Sequence, residues 1–266
     1  NFGSAASKAA EVLHLTMFED ETSRLAKWVV PAAHYLEKWG DGLALDGTYT
    51  PVQPMILPLY DGLSELEILA ALAGLAPVNG PALVKDTFAN RIPQGLATDP
   101  ALLWNEFLRK GSLEASEFPP LSNATFDAPA VAKIAATPAA PIDGDELVFL
   151  QSSALDDGRY ANNSWLQETP DFVTKITWDN ALLMSVADAG RYGVKDGQMV
   201  EITAGDKKIE APVAIAPGQA AGSFAIALGY GRNGVSALME NVGFDAYPLR
   251  TFDSPRVRGG IKITPL

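Results

Sequence analysis

The sequence predicts two structural classes in succession, an α/β part followed by a mainly-β part. Up to about residue 75, short apolar runs alternate with helix-start and helix-stop signals across short connections, as in an α/β layer. From residue 146 onward, short apolar runs are separated by Gly- and Pro-containing turns with one brief helix between them, as in a compact β-barrel. The 266 residues allow one large domain or two modest ones, and 47% hydrophobic against 20% charged residues excludes wholesale disorder.

In chain order, Ser4 to Ala10 is Ala-rich and finishes a helix leading into an apolar strand, Val12 to Thr16. Glu19, Asp20 and Glu21 sit where acidic residues favour a helix N-terminus. Trp28 to Val30 has the composition of a short buried strand, stopped by Pro31. Ser64 and Glu67 form a capping box, because hydroxyl and carboxylate can satisfy each other's backbone donors. The helix it opens runs to about Ala73 and ends at Gly74.

Residues 76–145 read as a helical insertion and a linker. Asp99 is an N-cap followed by Pro100 at the first helical position, and Gly111 supplies the stop. Leu102, Leu103, Phe107 and Leu108 give that helix an apolar face, and the Pro- and Ala-rich stretch from Phe118 to Asp145 reads as semi-extended.

Residues 146–266 read as a separate domain. Strands are predicted at Glu146 to Gln151, Ala181 to Met184, Met199 to Ala204, Lys208 to Ile215, Ser223 to Leu228 and Gly260 to Thr264. Turns fall at Gly205-Asp206 and Pro217-Gly218, and Ser185 with Asp188 starts a short helix closed by Gly193.

Composition removes several function classes. Lys and Arg total 20 against 32 Asp and Glu, a net charge of −12 that repels phosphate backbones and anionic lipid heads. Nucleic acid is therefore not an expected partner. With no cysteine, the chain can supply neither a disulfide, nor a thiolate nucleophile, nor cysteine ligands to zinc or an iron–sulfur cluster. No run of about 18 uncharged apolar residues suits a membrane span, so direct membrane insertion is not expected. The chain begins at Asn1, without a signal-peptide or twin-arginine pattern, and reads as an excised piece of something longer.

Two stretches resemble the molybdopterin oxidoreductase family. The first runs from Glu21 to Gly40 with Pro31, His34 and Glu37; the second runs from Asp188 to Val200 with Gly193, Asp196 and Gly197, followed by Ala216-Pro217-Gly218. A narrower set comprises Trp39-Gly40-Asp41, Asp46-Gly47-Thr48, Val52-Gln53-Pro54, Pro58 to Gly62, Asn162 to Pro170, Thr174-Lys175, Thr177 to Asn180 and Gly243 to Arg250. It is similar to the large iron–sulfur and molybdopterin-like subunit of alternative complex III, a bacterial quinol oxidoreductase. The resemblance implies a partial Rossmann-like α/β layer over residues 1–75 and a double-psi β-barrel over 146–266. It also implies molybdopterin guanine dinucleotide in the parent polypeptide, or its loss from a retained fold, with iron–sulfur clusters elsewhere in that parent. The implied partners are the remaining N-terminal and ferredoxin-like parts and the subunits of a membrane complex, on the periplasmic side of the inner membrane.

Candidate cofactor-binding residues are Asn162, Asn163, Trp165 and Gln167, a polar–aromatic cluster in a loop before the barrel, with Asn241, Gly243, Phe244 and Asp245 as a second group. Amides suit purine or pterin edges because donor and acceptor lie in one plane. The same amides can simply satisfy the loop backbone, and both readings stand. Gly229, Gly231 and Gly234 form G-x-G-x-x-G after a strand, read either as a diphosphate cradle or as a flexible turn. His14 and His34 lack a metal-ligand spacing and read as hydrogen-bonded structural residues, with a proton relay from His34 to Glu37 or Asp41 as the alternative. No catalytic constellation and no metal site are predicted. Three functions stay open: a cavity cap or retained scaffold of a quinol-oxidising complex, the dinucleotide-holding half of a working molybdoenzyme, or a free-standing small-molecule-binding barrel.

Overall fold

The computed structural model describes residues 2–76, 78–93, 99–136, 144–233 and 235–266. They fall into two compact units, Asn1–Ala128 and Pro129–Leu266.

In the first unit, helix α1 (Phe2–Ala6) precedes strands β1 (Leu13–Thr16) and β2 (Trp28–Pro31), which pair in parallel with Leu13 opposite Trp28. The acidic run between them caps a single 3-10 turn, Ser23–Leu25, rather than an α-helix. The Asp20 carboxylate accepts the N–H groups of Thr22 at 2.8 Å and Ser23 at 3.0 Å. His14 joins the same turn, its Nδ1 3.1 Å from the Ser23 hydroxyl. The expectation of a buried strand at Trp28 is corrected: Trp28 and Val29 are exposed, since a two-stranded sheet offers no second layer to cover them.

Strands β3 (Gly40–Leu43) and β4 (Tyr49–Val52) form an antiparallel hairpin that the sequence reading missed. Its turn is held by Asp46, which accepts the Thr48 N–H at 2.9 Å, while Gly47 takes φ +91°. Helix α2 (Glu65–Leu72) carries the predicted capping box: Ser64 Oγ accepts the Glu67 N–H at 3.2 Å, and Glu67 accepts the Ser64 N–H at 2.9 Å. Glu67 also accepts the N–H of Gly80, which opens α3 (Gly80–Arg91). Asp99 and Gly111 bound α4 (Pro100–Lys110) as predicted, Gly111 in the left-handed conformation.

These helices and the hairpin share an aromatic core of Tyr49, Phe88, Phe107 and Leu113. Tyr49 and Phe88 place their rings 5.1 and 4.9 Å from Phe107. Leu103 and Leu108 pack against this core, whereas Leu102 lies on the outer side of α4 and is exposed. Among the described residues the sheets of this unit are the parallel β1–β2 pair, with a parallel bridge between Ala32 and Leu63 beyond it, and the β3–β4 hairpin.

Helix α5 (Ala128–Ala135) lies within the stretch read as semi-extended; residues 137–143 of that stretch fall outside the described ones. The second unit then contains β5 (Glu146–Leu150), α6 (Ser164–Glu168), β6 (Leu182–Met184), α7 (Val186–Tyr192), β7 (Met199–Ala204), β8 (Lys207–Ile215), β9 (Ser223–Ala227), β10 (Val257–Gly259) and β11 (Ile261–Pro265). They form one seven-stranded sheet in the order β10-β5-β9-β6-β8-β7-β11. The β5–β9 and β6–β8 pairs are parallel and the others antiparallel.

The two outermost strands of that order are one segment, residues 257–265, bent at Gly260 with φ +67°. Because one continuous segment lies on both edges, the sheet curls on itself and encloses its apolar face. That face carries Leu147, Leu182, Met184, Val200, Ile202, Phe224 and Ile226, all fully buried. Ser185 caps α7 by accepting the Asp188 N–H at 2.9 Å. The buried Asp188 carboxylate accepts from the Ser185 hydroxyl and the Gly222 N–H and pairs with Arg191 at 2.8 Å, tying α7 to the start of β9. Among the described residues, no helix is long and apolar enough to cross a membrane.

Candidate functional site

The parallel β5–β9 pair and the antiparallel β6–β9 pair bring the ends of β5 and β9 beside the start of β6, and the loop 171–180 runs past all three. A cleft of about 360 Å³ lies there, bounded by Leu150 to Ser153, Asp171 to Thr174, Ile176, Asp179 to Ala181, Leu183, Ala227 and Tyr230. A second hollow of about 580 Å³ shares the Val173 to Leu183 side and continues along Asp196 and Pro212 to Pro217.

Loop 171–180 is shaped by its own polar groups. Asp171 accepts from the Val173 N–H at 3.0 Å, the Thr174 N–H at 2.7 Å and hydroxyl at 3.0 Å, and the Ser153 hydroxyl at 2.9 Å. Burial pushes the Asp171 carboxyl up, but these hydrogen bonds together hold it below the usual carboxylate range. Asp179 has the opposite balance: burial raises it, and a single backbone N–H, from Asn180 at 2.8 Å, works against that. Lys175 and Trp178 take φ +63° and +55°, the left-handed region that costs energy for residues other than glycine.

Asn180, 3% exposed, fixes the loop to the sheet. Its Nδ2 donates to the carbonyls of Ala227 at 2.7 Å and Phe244 at 3.0 Å, and its Oδ1 accepts the Phe244 N–H at 2.8 Å. In the sequence Asp179 and Asn180 stand only within the motif Thr177 to Asn180 and not among the candidate binding residues. The available signal was an acid–amide pair immediately before the apolar run Ala181 to Met184.

None of the eight predicted residues lines this cleft or its continuation. Asn163 caps α6 by accepting the Leu166 N–H, and Asn162 Oδ1 accepts the Ser236 hydroxyl at 2.6 Å. Gln167, 2% exposed, donates from Nε2 to the Ala161 carbonyl at 3.1 Å, and its Oε1 has no partner among the described residues. Trp165 is 83% exposed.

Asn241 stands at φ +59° with its N–H bonded to Asn233 Oδ1, and Asp245 accepts the Tyr247 N–H. Phe244 is clamped by Asn180, with Gly243 packed against the same amide. The structure does bring the two predicted segments side by side, through a small cluster of Leu155, Ala161, Tyr230 and Met239 onto which Leu166 and Val242 pack. In the first unit the His34 ring lies 4.1 Å from that of Tyr35, tilted by 41°, and the His34 backbone N–H donates to Glu37 Oε2 at 2.9 Å.

The glycine motif has a steric purpose. A side chain on Gly229 would place Cβ 2.6 Å from the Gly158 nitrogen, and one on Gly231 would place it 2.0 Å from the Asp245 nitrogen. These glycines let neighbouring backbones pass. No helix starts at Arg232 or Asn233, and Gly234 lies outside the described residues.

A pyrophosphate needs cations or converging N–H donors. The cleft and its continuation are lined by three carboxylates, Asp171, Asp179 and Asp196, and by no lysine or arginine among the described residues. Asn180 is engaged by the fold at both ends of its amide, Asn162 and Asn163 are engaged through their Oδ1 atoms, and the atom of Gln167 without a partner among the described residues is an acceptor. The described residues of this cleft do not fit a dinucleotide's phosphates.

Comparison with known proteins bears on the same region. Residues 157–247 match the model of the molydopterin dinucleotide binding domain, which supports a molybdopterin cofactor in the parent. Among solved structures, acetylene hydratase from Pelobacter acetylenicus is similar with a TM-score of 0.50 and 14% identity, over 96% of this chain and 40% of that one. At that identity the likeness is one of fold, and the chain spans about 40% of the length of the structure it matches. No curated protein sequence matches the chain. Residues 157–247, which contribute much of the curled sheet of the second unit, are thus similar to the molydopterin dinucleotide binding domain.

Proposed function

We propose that the chain is the C-terminal portion of a molybdopterin-oxidoreductase-like electron-transfer subunit of a respiratory quinol oxidoreductase, in which it serves as a retained scaffold. The observation that carries this reading is the chemistry of the cleft: three carboxylates without a counter-cation among the described residues, beside Asn180, whose amide is already engaged in holding the loop. Such a surface repels a diphosphate and stabilises the fold instead. In the intact subunit, iron–sulfur centres outside this chain would carry the electrons, since no cysteine is present here to ligate one. The net charge of −12 suits docking on basic surfaces of partner subunits, and a location on the periplasmic side of the inner membrane is part of this proposal, as the resemblance implies.

A second reading, the dinucleotide-holding half of a working molybdenum enzyme, is favoured by the family match over residues 157–247. Elemental analysis for molybdenum, tungsten and iron, with a pterin assay, on the intact parent from its own host separates the two. The scaffold reading expects iron without stoichiometric pterin or metal. Pterin and molybdenum or tungsten near one equivalent would overturn it and make Asn162 to Gln167 the first segment to mutate.

A further inference from the structure

We propose that the cleft between Ser152-Ser153 and loop 171–180 binds an organic monocation, an ammonium or guanidinium on an apolar stem, with Asp179 as its counter-charge. This goes beyond the scaffold reading and does not rest on it, because the cleft is assembled wholly within the second unit.

The cavity, at about 360 Å³, is in the range that holds a small organic ligand or one long side chain. Its wall is largely apolar, with Leu150, Val173, Ile176 and Leu183 available for a hydrocarbon stem. Phe172 and Tyr230 bring aromatic rings to the lining, and a ring face attracts a cation within about 6 Å.

The polar groups decide the sign of the ligand. Both oxygens of Asp171 are occupied, by Ser153 and by the 173–174 turn. Asp179 accepts only the Asn180 N–H, which leaves its second oxygen without a protein partner among the described residues. Lys175, the nearest lysine in sequence, does not line the cleft, and its ammonium donates to the Phe172 carbonyl at 2.9 Å.

A half-buried carboxylate with one hydrogen bond and no counter-ion is costly, and its raised pKa expresses that cost. A cation in the cleft would relieve it. The position of Asp179 is also pre-set: the adjacent Asn180 is clamped by three hydrogen bonds, and Trp178 is held at φ +55°. Held in place before the ligand arrives, the carboxylate loses little freedom on binding.

The test uses the full chain labelled with 15N, titrated with phenethylammonium and with N-acetyl-arginine methylamide. The neutral 3-phenylpropanol and the anionic 3-phenylpropionate serve as controls. Saturable amide shifts confined to Thr174, Ile176 and Asn180 are expected with a cation, about tenfold weaker with the alcohol and absent with the carboxylate. Asp179→Asn is expected to weaken the cation about tenfold while leaving the alcohol unchanged.

Val173→Trp, at an exposed rim position, is expected to block every probe, and it keeps the test decisive if Asp179→Asn fails to fold. A stronger response to the arginine derivative than to phenethylammonium identifies a polypeptide side chain as the source, and the reverse identifies a free amine. No saturable shift, equal response to cation and alcohol, or full cation binding by folded Asp179→Asn overturns the proposal.

Discussion

Asn180 and Phe244, 64 residues apart, are joined by a reciprocal pair of hydrogen bonds: the Asn180 amide donates to the Phe244 carbonyl at 3.0 Å and accepts its N–H at 2.8 Å. One side chain therefore substitutes for a strand, satisfying both backbone groups of a residue that lies in no sheet. With its third bond, to Ala227, it links the cleft loop, the end of β9 and the segment before β10. Asn180→Ala removes the partner of three part-buried backbone groups and is expected to lower stability by about 2–4 kcal/mol. Urea unfolding of the full chain measures it. Asn180→Asp should also destabilise, since a carboxylate cannot donate to the two carbonyls.

Gly243 lies against that same amide. It takes φ +63°, and an added Cβ would stand 2.7 Å from the Tyr230 Cβ and 2.8 Å from Asn180 Oδ1. Backbone strain and overlap act together, so Gly243→Ala is expected to lose about 2 kcal/mol or more. Gly190→Ala is the control, since that glycine is helical and nothing lies within 4 Å of an added Cβ. It should be neutral or slightly stabilising in the same thermal melt.

These two residues mark where sequence reasoning succeeds and where it stops. Ser64, Asp99 and Ser185 cap helices through partners two or three residues away, so local pattern revealed them. The β3–β4 hairpin was missed because Gly40 to Leu43 has neither apolar alternation nor β-branched residues, and its pairing depends on a partner strand. Strand β10 was missed for a similar reason: Val257 to Gly259 acquires its role only by pairing with β5, more than 100 residues earlier.

At the site, Asn163 looked like a ligand-reading amide because a capping asparagine and a binding asparagine share one local signature. Asp179 stayed hidden because its environment comes from β5, β6 and β9, which only the folded sheet brings together.

Asp157 and Arg159 should make stability acid-sensitive. The Arg159 guanidinium donates to Asp157 at 2.8 Å and holds its carboxyl well below the usual range, at about 2. Arg159 also pairs with Asp156 at 3.2 Å. A carboxyl whose folded pKa lies below its unfolded value of 3.8 stabilises the fold above that value, and this is lost as pH falls towards 2. Asp157→Asn is therefore expected to lower the urea midpoint at pH 6 and to shrink the difference between pH 6 and pH 2.5. The effect should be modest, because both side chains are substantially exposed. An unchanged pH dependence in the variant would count against this pair as its source.

Helix α4 offers a sharper contrast, between two residues of one element. Phe107 is 1% exposed and stacks on both Tyr49 and Phe88, whereas Leu102 is 58% exposed although it belongs to the same apolar stretch. Five positions at about 100° each turn the helix through about 500°, so residue 102 points some 140° away from residue 107. That rotation separates the buried stripe from the outer side. Phe107→Ala should then lose about 3–5 kcal/mol, the cost of an aromatic deleted from a packed cluster. Leu102→Ala should change stability by no more than about 0.5 kcal/mol, because an exposed leucine gives up little burial and alanine favours the helix. Chemical denaturation of the two variants beside the parent chain tests this. Comparable losses at both positions would mean that the outer side of α4 is covered in solution, for instance by a second molecule, and Leu102 would then belong to an interface.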